Sequence, residues 1–168
     1  MINPDLKKAY TTHMGVLIKV LLMSRGDVVE LGTGPFSTPL LHWVCKDMNR
    51  KLISYEIDPE YYNYARQFRS PIHRIKQVKD WDEVNSTIHR GLVFIDHNPF
   101  DKRAPDIIRF KDSADYVVIH DTECENNFKI IWPHFKYAYT WKDCRPWATV
   151  VSNSKDLSQF NYPLVVSQ

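Results

Sequence analysis

Apolar residues recur at roughly helical spacing from Leu6 to Met23, behind Asn3-Pro4-Asp5, which reads as a helix start; Arg25-Gly26-Asp27 closes the segment. Beyond it, short apolar runs alternate with amphipathic stretches. Val28–Leu31 reads as a strand, Gly32-Thr33-Gly34-Pro35 as a turn, and Ser37–Met48 as a helix with Ser37 at its N-cap. Lys51–Ile57 is a second strand and Pro59–Phe68 the next helix, with proline where a first turn tolerates it. Ile72–Val78 alternates apolar and polar residues, as a strand near a sheet edge does. A short helix over Asp82–His89 leads to Leu92–Ile95, a continuous apolar run that predicts a strand buried on both faces. Ala104–Lys111 reads as a helix, Tyr116–Ile119 as another fully buried strand, and Glu123–Ile131 as a helical turn stopped by Trp132-Pro133. Lys136–Trp141 and Trp147–Ser152 are β-rich, and the five residues Lys142–Pro146 between them read as the loop of a long hairpin.

Strands alternating with helices imply a parallel sheet covered on both sides. A closing pair of strands with no full helix between them implies that one antiparallel strand is inserted at the end of that sheet. The expected fold is therefore α/β: a three-layer α/β/α Rossmann-like sandwich with a mixed seven-stranded sheet and a terminal antiparallel hairpin. No internal repeat, low-complexity tract or linker interrupts the pattern, so residues 1–168 read as a single domain.

Composition narrows the class without naming a function. An apolar share of 43% and a charged share of 25% are ordinary for a globular protein. Net charge is +2 with both signs interspersed, which gives no clear nucleic-acid footprint. Cys45, Cys124 and Cys144 are odd in number and widely spaced, as reduced thiols are, rather than a disulfide framework or a zinc knuckle. The N-terminus carries no signal-peptide pattern, and the apolar run Val16–Met23 is broken by Lys19 and too short to span a bilayer. A cytoplasmic protein with no membrane partner is the expectation.

The chain has only five glycines, and two of them, Gly32 and Gly34, stand directly after the first apolar strand. Glycines there let the main chain turn sharply and approach a ligand with no Cβ in the way, while the following helix points its N-terminus at the same place. Glu56 ends the second strand, where an acidic side chain can accept both hydroxyls of a ribose. A Gly-x-Gly turn alone needs no ligand; strand, helix and acid together make it a cofactor loop. A nicotinamide dinucleotide would want a third glycine beside its pyrophosphate, and Pro35-Phe36-Ser37-Thr38 offers none. Glu30, just before the loop, suits a cofactor bearing an ammonium and a sulfonium, and so favours S-adenosylmethionine.

On these residues the sequence resembles the class I S-adenosylmethionine-dependent methyltransferase superfamily: Val28–Gly34 matches its first motif and Ile53–Pro59 its second. The resemblance implies a cofactor site built from Glu30, Gly32, Thr33, Gly34, Glu56 and Ile57, with Asp96 at its edge. It also implies that Asp80 accepts the exocyclic amine of the adenine and that Trp81 stacks on the ring. Phe36 departs from the family, which commonly has a small residue there.

Two buried strands each end in paired His and Asp: Asp96-His97 after one, His120-Asp121 after the other, with Thr122 and Glu123 following. The segment Phe94-Ile95-Asp96-His97, with Lys102 shortly after, looks like that of catechol O-methyltransferase-type enzymes. That resemblance implies Mg²⁺ held by Asp96 and Asp121, with Thr122 where the family has asparagine, and Lys102 as proton acceptor. Metal-free general-base catalysis by His97, His120 or Asp121 is the alternative; simple capping of strand ends is the third. Tyr10 and His13 cross near the site, on a helix face that reads first as cover for the sheet. Trp132, Trp141 and Trp147 read as core or as an oligomer contact before they read as a substrate wall.

The expected activity is methyl transfer from S-adenosylmethionine to a small or medium-sized acceptor, oxygen ahead of nitrogen. Either the acceptor is small and the site open, or a second copy of the chain completes it as a homo-oligomer. A non-catalytic S-adenosylmethionine-binding or partner-activating subunit is the alternative of a different class, and a NAD-dependent oxidoreductase ranks third.

Overall fold

Seven strands hydrogen-bond in the order β3-β2-β1-β4-β5-β7-β6 in a computed structural model of the chain, which describes residues 8–123 and 125–161. They span Val28–Leu31 (β1), Leu52–Glu56 (β2), His73–Gln77 (β3), Arg90–Ile95 (β4), Ala114–His120 (β5), Tyr137–Trp141 (β6) and Ala148–Ser152 (β7). The first five run parallel, and β7 lies antiparallel between β5 and β6, as the paired closing strands require. The expected strand at an edge, β3, is at one.

Period-two alternation divides each central strand between two cores. Val29, Leu31, Val93, Ile95, Val117 and Ile119 face one layer, and Val28, Leu92, Phe94, Tyr116 and Val118 the other. The helices α1 (Met14–Met23) and α2 (Ser37–Asp47) cover the second face with Val16, Leu17, Val20, Leu21, Leu41 and Cys45. On the first face, α4 (Arg103–Arg109) contributes Ile107, joined by Phe110, and the single turn α5 (Glu125–Phe128) contributes Phe128. α3 (Pro59–Ala65) is capped by the Asp58 carboxylate, which accepts from the Glu60 and Tyr61 amides at 2.7 and 3.1 Å. Because β1 sits between β2 and β4, strand order reverses there, and a crevice opens beyond the carboxyl ends of the strands.

Three local expectations are corrected. The helix expected over Asp82–His89 is only a 3-10 turn, Trp81–Glu83, because the Asn85 side chain accepts from the Thr87 amide and hydroxyl and so holds a competing turn. Ser37 is not an N-cap: Phe36 holds that position, and Thr38 Oγ1 instead accepts from the Gly34 amide at 3.0 Å. The leader is a 3-10 turn over Lys8–Thr11 followed by α1, rather than one helix; Asn3-Pro4-Asp5 and Leu6 lie outside the described residues, as does Cys124. Among the described residues no helix is long and apolar enough to cross a membrane.

β4 enters the sheet against the turn that precedes β1, with the Gly91 amide donating to the Asp27 carbonyl at 2.9 Å. A Cβ on Gly91 would fall 1.6 Å from the Arg25 carbonyl oxygen. Gly91→Ala is therefore expected to destabilise the fold by about 3 kcal/mol or more, read as a large fall in the denaturant midpoint.

Candidate active site

The first residue beyond each central strand builds the site: Gly32 after β1, Ile57 after β2, Asp96 after β4 and Asp121 after β5. Gly32 has φ +88, and a Cβ there would lie 2.5 Å from the Asp96 carbonyl oxygen and 2.7 Å from the His97 Cα. Glycine at this position is a demand of the fold. Gly34 is not: a Cβ there would meet only Ser37 Oγ, at 3.5 Å.

Glu56 ties the loop to β2. One carboxylate oxygen accepts from the Thr33 amide and hydroxyl at 2.7 and 3.0 Å, the other from the Ile57 and Asp58 amides at 2.8 and 2.9 Å. Gly32, Thr33, Gly34, Glu56 and Ile57 all line a cavity of about 940 Å³ that continues to Asp96, His120 and Asp121.

Glu30 does not reach this cavity. It is fully buried and accepts from Ser54 Oγ at 2.5 Å and from Thr38 Oγ1 at 3.0 and 3.1 Å. Burial pushes its carboxyl up to about 7, against the pull of those hydroxyls, so it braces the loop rather than meeting a cationic ligand. Trp81 is not placed to stack on a ligand either. Its ring is 2% exposed, stacks on His97 with centroids 4.3 Å apart, and donates Nε1–H to the Asn98 carbonyl at 2.8 Å. Asp80 is exposed and accepts from the Asp82 amide as cap of the following turn. Trp132, Trp141 and Trp147 lie outside the cavity lining, the first two packed against the two cores.

At the chemical end, sequence reasoning missed the organising residue. Arg103 opens α4 and is buried; its guanidinium bridges Asp96 Oδ1 and Asp121 Oδ2, each at 2.9 Å, and donates to the His97 carbonyl at 2.6 Å. Asp121 stands in the left-handed region, φ +60, with its carboxylate on that cation. Arg103 thus fills the place between the two aspartates expected to hold Mg²⁺. Thr122 is turned away, accepting from Thr149 Oγ1 at 2.8 Å in a buried pair. This set does not fit the ion, and Lys102, exposed and outside the cavity lining, does not fit the role of proton acceptor.

Of the two histidines in the rim, His97 is 1% exposed beneath Trp81; its Nε2 lies 2.7 Å from Asp106 Oδ2 as an ion-pair contact without hydrogen-bond geometry, and its Nδ1 has no partner. His120 pairs with Asp96, Nδ1 to Oδ2 at 3.1 Å, while its Nε2 lies 3.0 Å from Thr12 Oγ1. Burial alone would raise the Asp96 carboxyl, but the His120 bond and the His120 and Arg103 charges outweigh it and hold it below its ordinary range. Reciprocally, His120 is raised despite burial, by Asp96 and then Asp121. His13 packs edge-on against His120 with centroids 4.7 Å apart, and neither of its ring nitrogens has a hydrogen-bond partner.

No protein-family model matches this sequence, and no curated protein matches it. Solved structures do. A methyltransferase from Pyrococcus furiosus superposes with a TM-score of 0.62 at 17% identity, covering 92% of this chain and 88% of that one. The human methyltransferase 10 domain containing protein gives 0.63 at 14% identity, with 87% and 84% covered. The N-terminal domain of human METTL16 in complex with SAH gives 0.63 at 14% identity, with 86% and 71% covered. The same protein's catalytic domain, in complex with the MAT2A 3'UTR hairpin 1, gives 0.61 at 14% identity, with 86% and 70% covered. The fold is that of the class I methyltransferases.

Within the methyltransferase fold, Arg103, Tyr61 and Pro146 line the cavity without having been singled out in the sequence. A signal existed for Arg103, the first cation of a helix that follows an acidic strand end. Pro146, from the hairpin loop, had none.

The buried titratable groups make stability depend on pH. Burial, and behind it a neighbouring histidine, holds His13 at about 4 and His73 at about 3, against 6.5 for a free imidazole. As pH falls below 6.5 the unfolded chain takes up protons that the fold refuses, so both groups destabilise the fold at acid pH. Glu30 opposes them: raised from 4.5 to about 7, it binds a proton in the folded state across the same window. These three groups together should therefore lower stability by about 1.4 kcal/mol per pH unit between pH 6 and 5, one net proton, with His42, also lowered by burial, acting in the same direction. Glu30→Gln should make the slope about twice as steep, a comparison that denaturant titrations at several pH values read directly.

Proposed function

We propose that this chain, as one domain over residues 1–168, transfers a methyl group from S-adenosylmethionine to the oxygen of a small or medium-sized acceptor. One observation carries the reading: a single cavity joins the glycine loop and Glu56 at one end to Asp96, His120 and Asp121 at the other. Gly34 supports the choice of cofactor. No protein atom requires it to lack a Cβ, so the reason for glycine lies on the cavity side. Glu56 would accept the ribose hydroxyls, and the peptide groups of Gly32–Gly34 would lie along the methionine portion. When bound, S-adenosylmethionine supplies an electrophilic methyl group; the METTL16 complex with SAH is a likeness in the same direction.

Asp96 is a poor proton acceptor near neutral pH, since His120 and Arg103 stabilise its anion. That stabilisation makes it a fixed hydrogen-bond acceptor, and at 24% exposure it is the open member of a pair in which His120 is 3% exposed. An acceptor hydroxyl donating to Asp96 has its lone pairs aimed by that bond. Methyl transfer asks mostly for in-line alignment, so orientation at Asp96, with Arg103 and His120 as positioning residues, is the contribution this rim makes. A second reading rests on Tyr10 and Tyr61, 49% and 37% exposed, which also line the cavity. A flat nucleobase acceptor would stack on them, and METTL16 bound to an RNA hairpin favours that version.

Calorimetric titration should show binding of S-adenosylmethionine and none of NAD; the reverse would overturn the reading. Gly34→Ala should weaken that binding with the melting temperature shifted by at most a few degrees, and Glu56→Ala should weaken it about tenfold to a hundredfold. Turnover against hydroxyl, amine and RNA acceptors then separates enzyme from binding subunit. Asp96→Asn should lower kcat about tenfold to a hundredfold at unchanged cofactor affinity.

A further inference from the structure

His13, Asp96 and His120 come from three separate segments, yet each brings one potential ligand atom within 4.8 Å of the other two. We propose that these three residues form a site for a divalent transition metal ion, such as Zn²⁺, Co²⁺ or Fe²⁺, distinct in its ligands from any Mg²⁺ site.

His13 gives the first reason. Its imidazole is 2% exposed and lines the cavity, yet neither ring nitrogen has a hydrogen-bond partner. An unpaired polar group so buried costs about 1–3 kcal/mol unless something outside the chain satisfies it. His120 and Asp96 give the second. Two ligand atoms about 2.1 Å from one ion at tetrahedral or octahedral angles lie about 3.0–3.4 Å apart. His120 Nδ1 and Asp96 Oδ2 are 3.1 Å apart, so their separation already suits a shared ion, which would take the place of the proton between them with a turn of the imidazole. Closure falls to the His13 side chain, by about 1 Å or a little more.

The surroundings match what a ligating histidine has elsewhere. With Nδ1 on the ion, His120 Nε2 would keep Thr12 Oγ1, now 3.0 Å away, as its outer partner. Asp96 has one oxygen for the ion and the other on Arg103, which fixes the carboxylate while limiting the negative charge it offers. Two imidazoles and one carboxylate select borderline metals over Mg²⁺, which prefers oxygen and water.

The test uses the untagged full chain, stripped with a chelator. Zn²⁺ titrated by calorimetry should bind at one equivalent, and Co²⁺ at the same site should give the visible absorption of an imidazole-ligated ion. An excess of Mg²⁺ should displace neither. His13→Ala and His120→Ala should each weaken Zn²⁺ binding at least about a hundredfold, and Thr12→Val about tenfold. His42→Gln, in the molecule's other contacting histidine pair among the described residues, should leave it unchanged. Should the variants fold poorly, the unmutated protein decides: Zn²⁺ should shift the imidazole nitrogen resonances of His13 and His120 alone. Absent Zn²⁺ binding, binding insensitive to His13 and His120, or competition by Mg²⁺ would each overturn the site. None of these measurements uses S-adenosylmethionine, so metal binding and methyl transfer can fail independently.

Discussion

Where β1 ends, its backbone passes so close to the peptide joining Asp96 to His97 that a Cβ on Gly32 would fall 2.5 Å from the Asp96 carbonyl oxygen. This contact sets the distance between the glycine loop and the rim of Asp96, His120 and Asp121. The ladder forces the approach: the Asp96 amide donates to the Leu31 carbonyl and the Gly32 amide to the Tyr55 carbonyl, both at 3.0 Å. Three strand ends are thereby locked in register before any side chain acts. Glu56 then fixes the loop from the β2 side through two hydrogen bonds from Thr33, its other oxygen being held by the Ile57 and Asp58 amides, so the cradle is preformed rather than assembled around a ligand.

The same strand ends concentrate charge, and the fold manages it with Arg103 and His120. Two carboxylates on neighbouring strands would repel; Arg103 bridges both, with its stem buried and its guanidinium also bonded to backbone carbonyls, and His120 lies against both. Removing one partner from such an arrangement typically costs 3–5 kcal/mol, because a buried charge is left uncompensated. The consequence for chemistry follows from sign. A carboxylate stabilised by a guanidinium and an imidazole is held anionic, which suits it to orient a donor and unsuits it to take a proton near neutral pH.

Much of this was legible in the sequence because the hydrophobic periods of a doubly covered sheet are strong signals. The runs within β4 and β5 read as strands buried on both faces and Val28–Leu31 as a short strand, and the glycine loop with Glu56 followed from their spacing. Errors arose where side chains decide locally. Asp82–His89 lies where a helix is expected between two strands, but Asn85 closes its own turn. Trp81 stands where the resemblance implies a ring stacked on adenine, but its ring packs into the core. Lys102 and Arg103 are adjacent cations, and only the onset of α4 decides which of them faces inward. Composition carries no information about that one-residue phase.

Buried polar groups in this molecule fall into two kinds, and the difference separates structural from functional residues better than residue type does. Glu30 takes its hydrogen bonds from Ser54 and Thr38, and Thr38 in turn accepts from the Gly34 amide. Trp81 and Thr122 are likewise closed by Asn98 and Thr149. Groups satisfied within the chain and outside the cavity lining, as these three are, have nothing left to offer a ligand, however suggestive their position. His13 and Gly34 are the opposite: one leaves two ring nitrogens without a partner, the other leaves room that no protein atom fills. Both face the same cavity. An unpaired buried imidazole is retained against a stability cost, and a glycine the fold does not need is retained against an entropy cost. Two such costs converging on one cavity are better explained by what binds there than by how the chain folds.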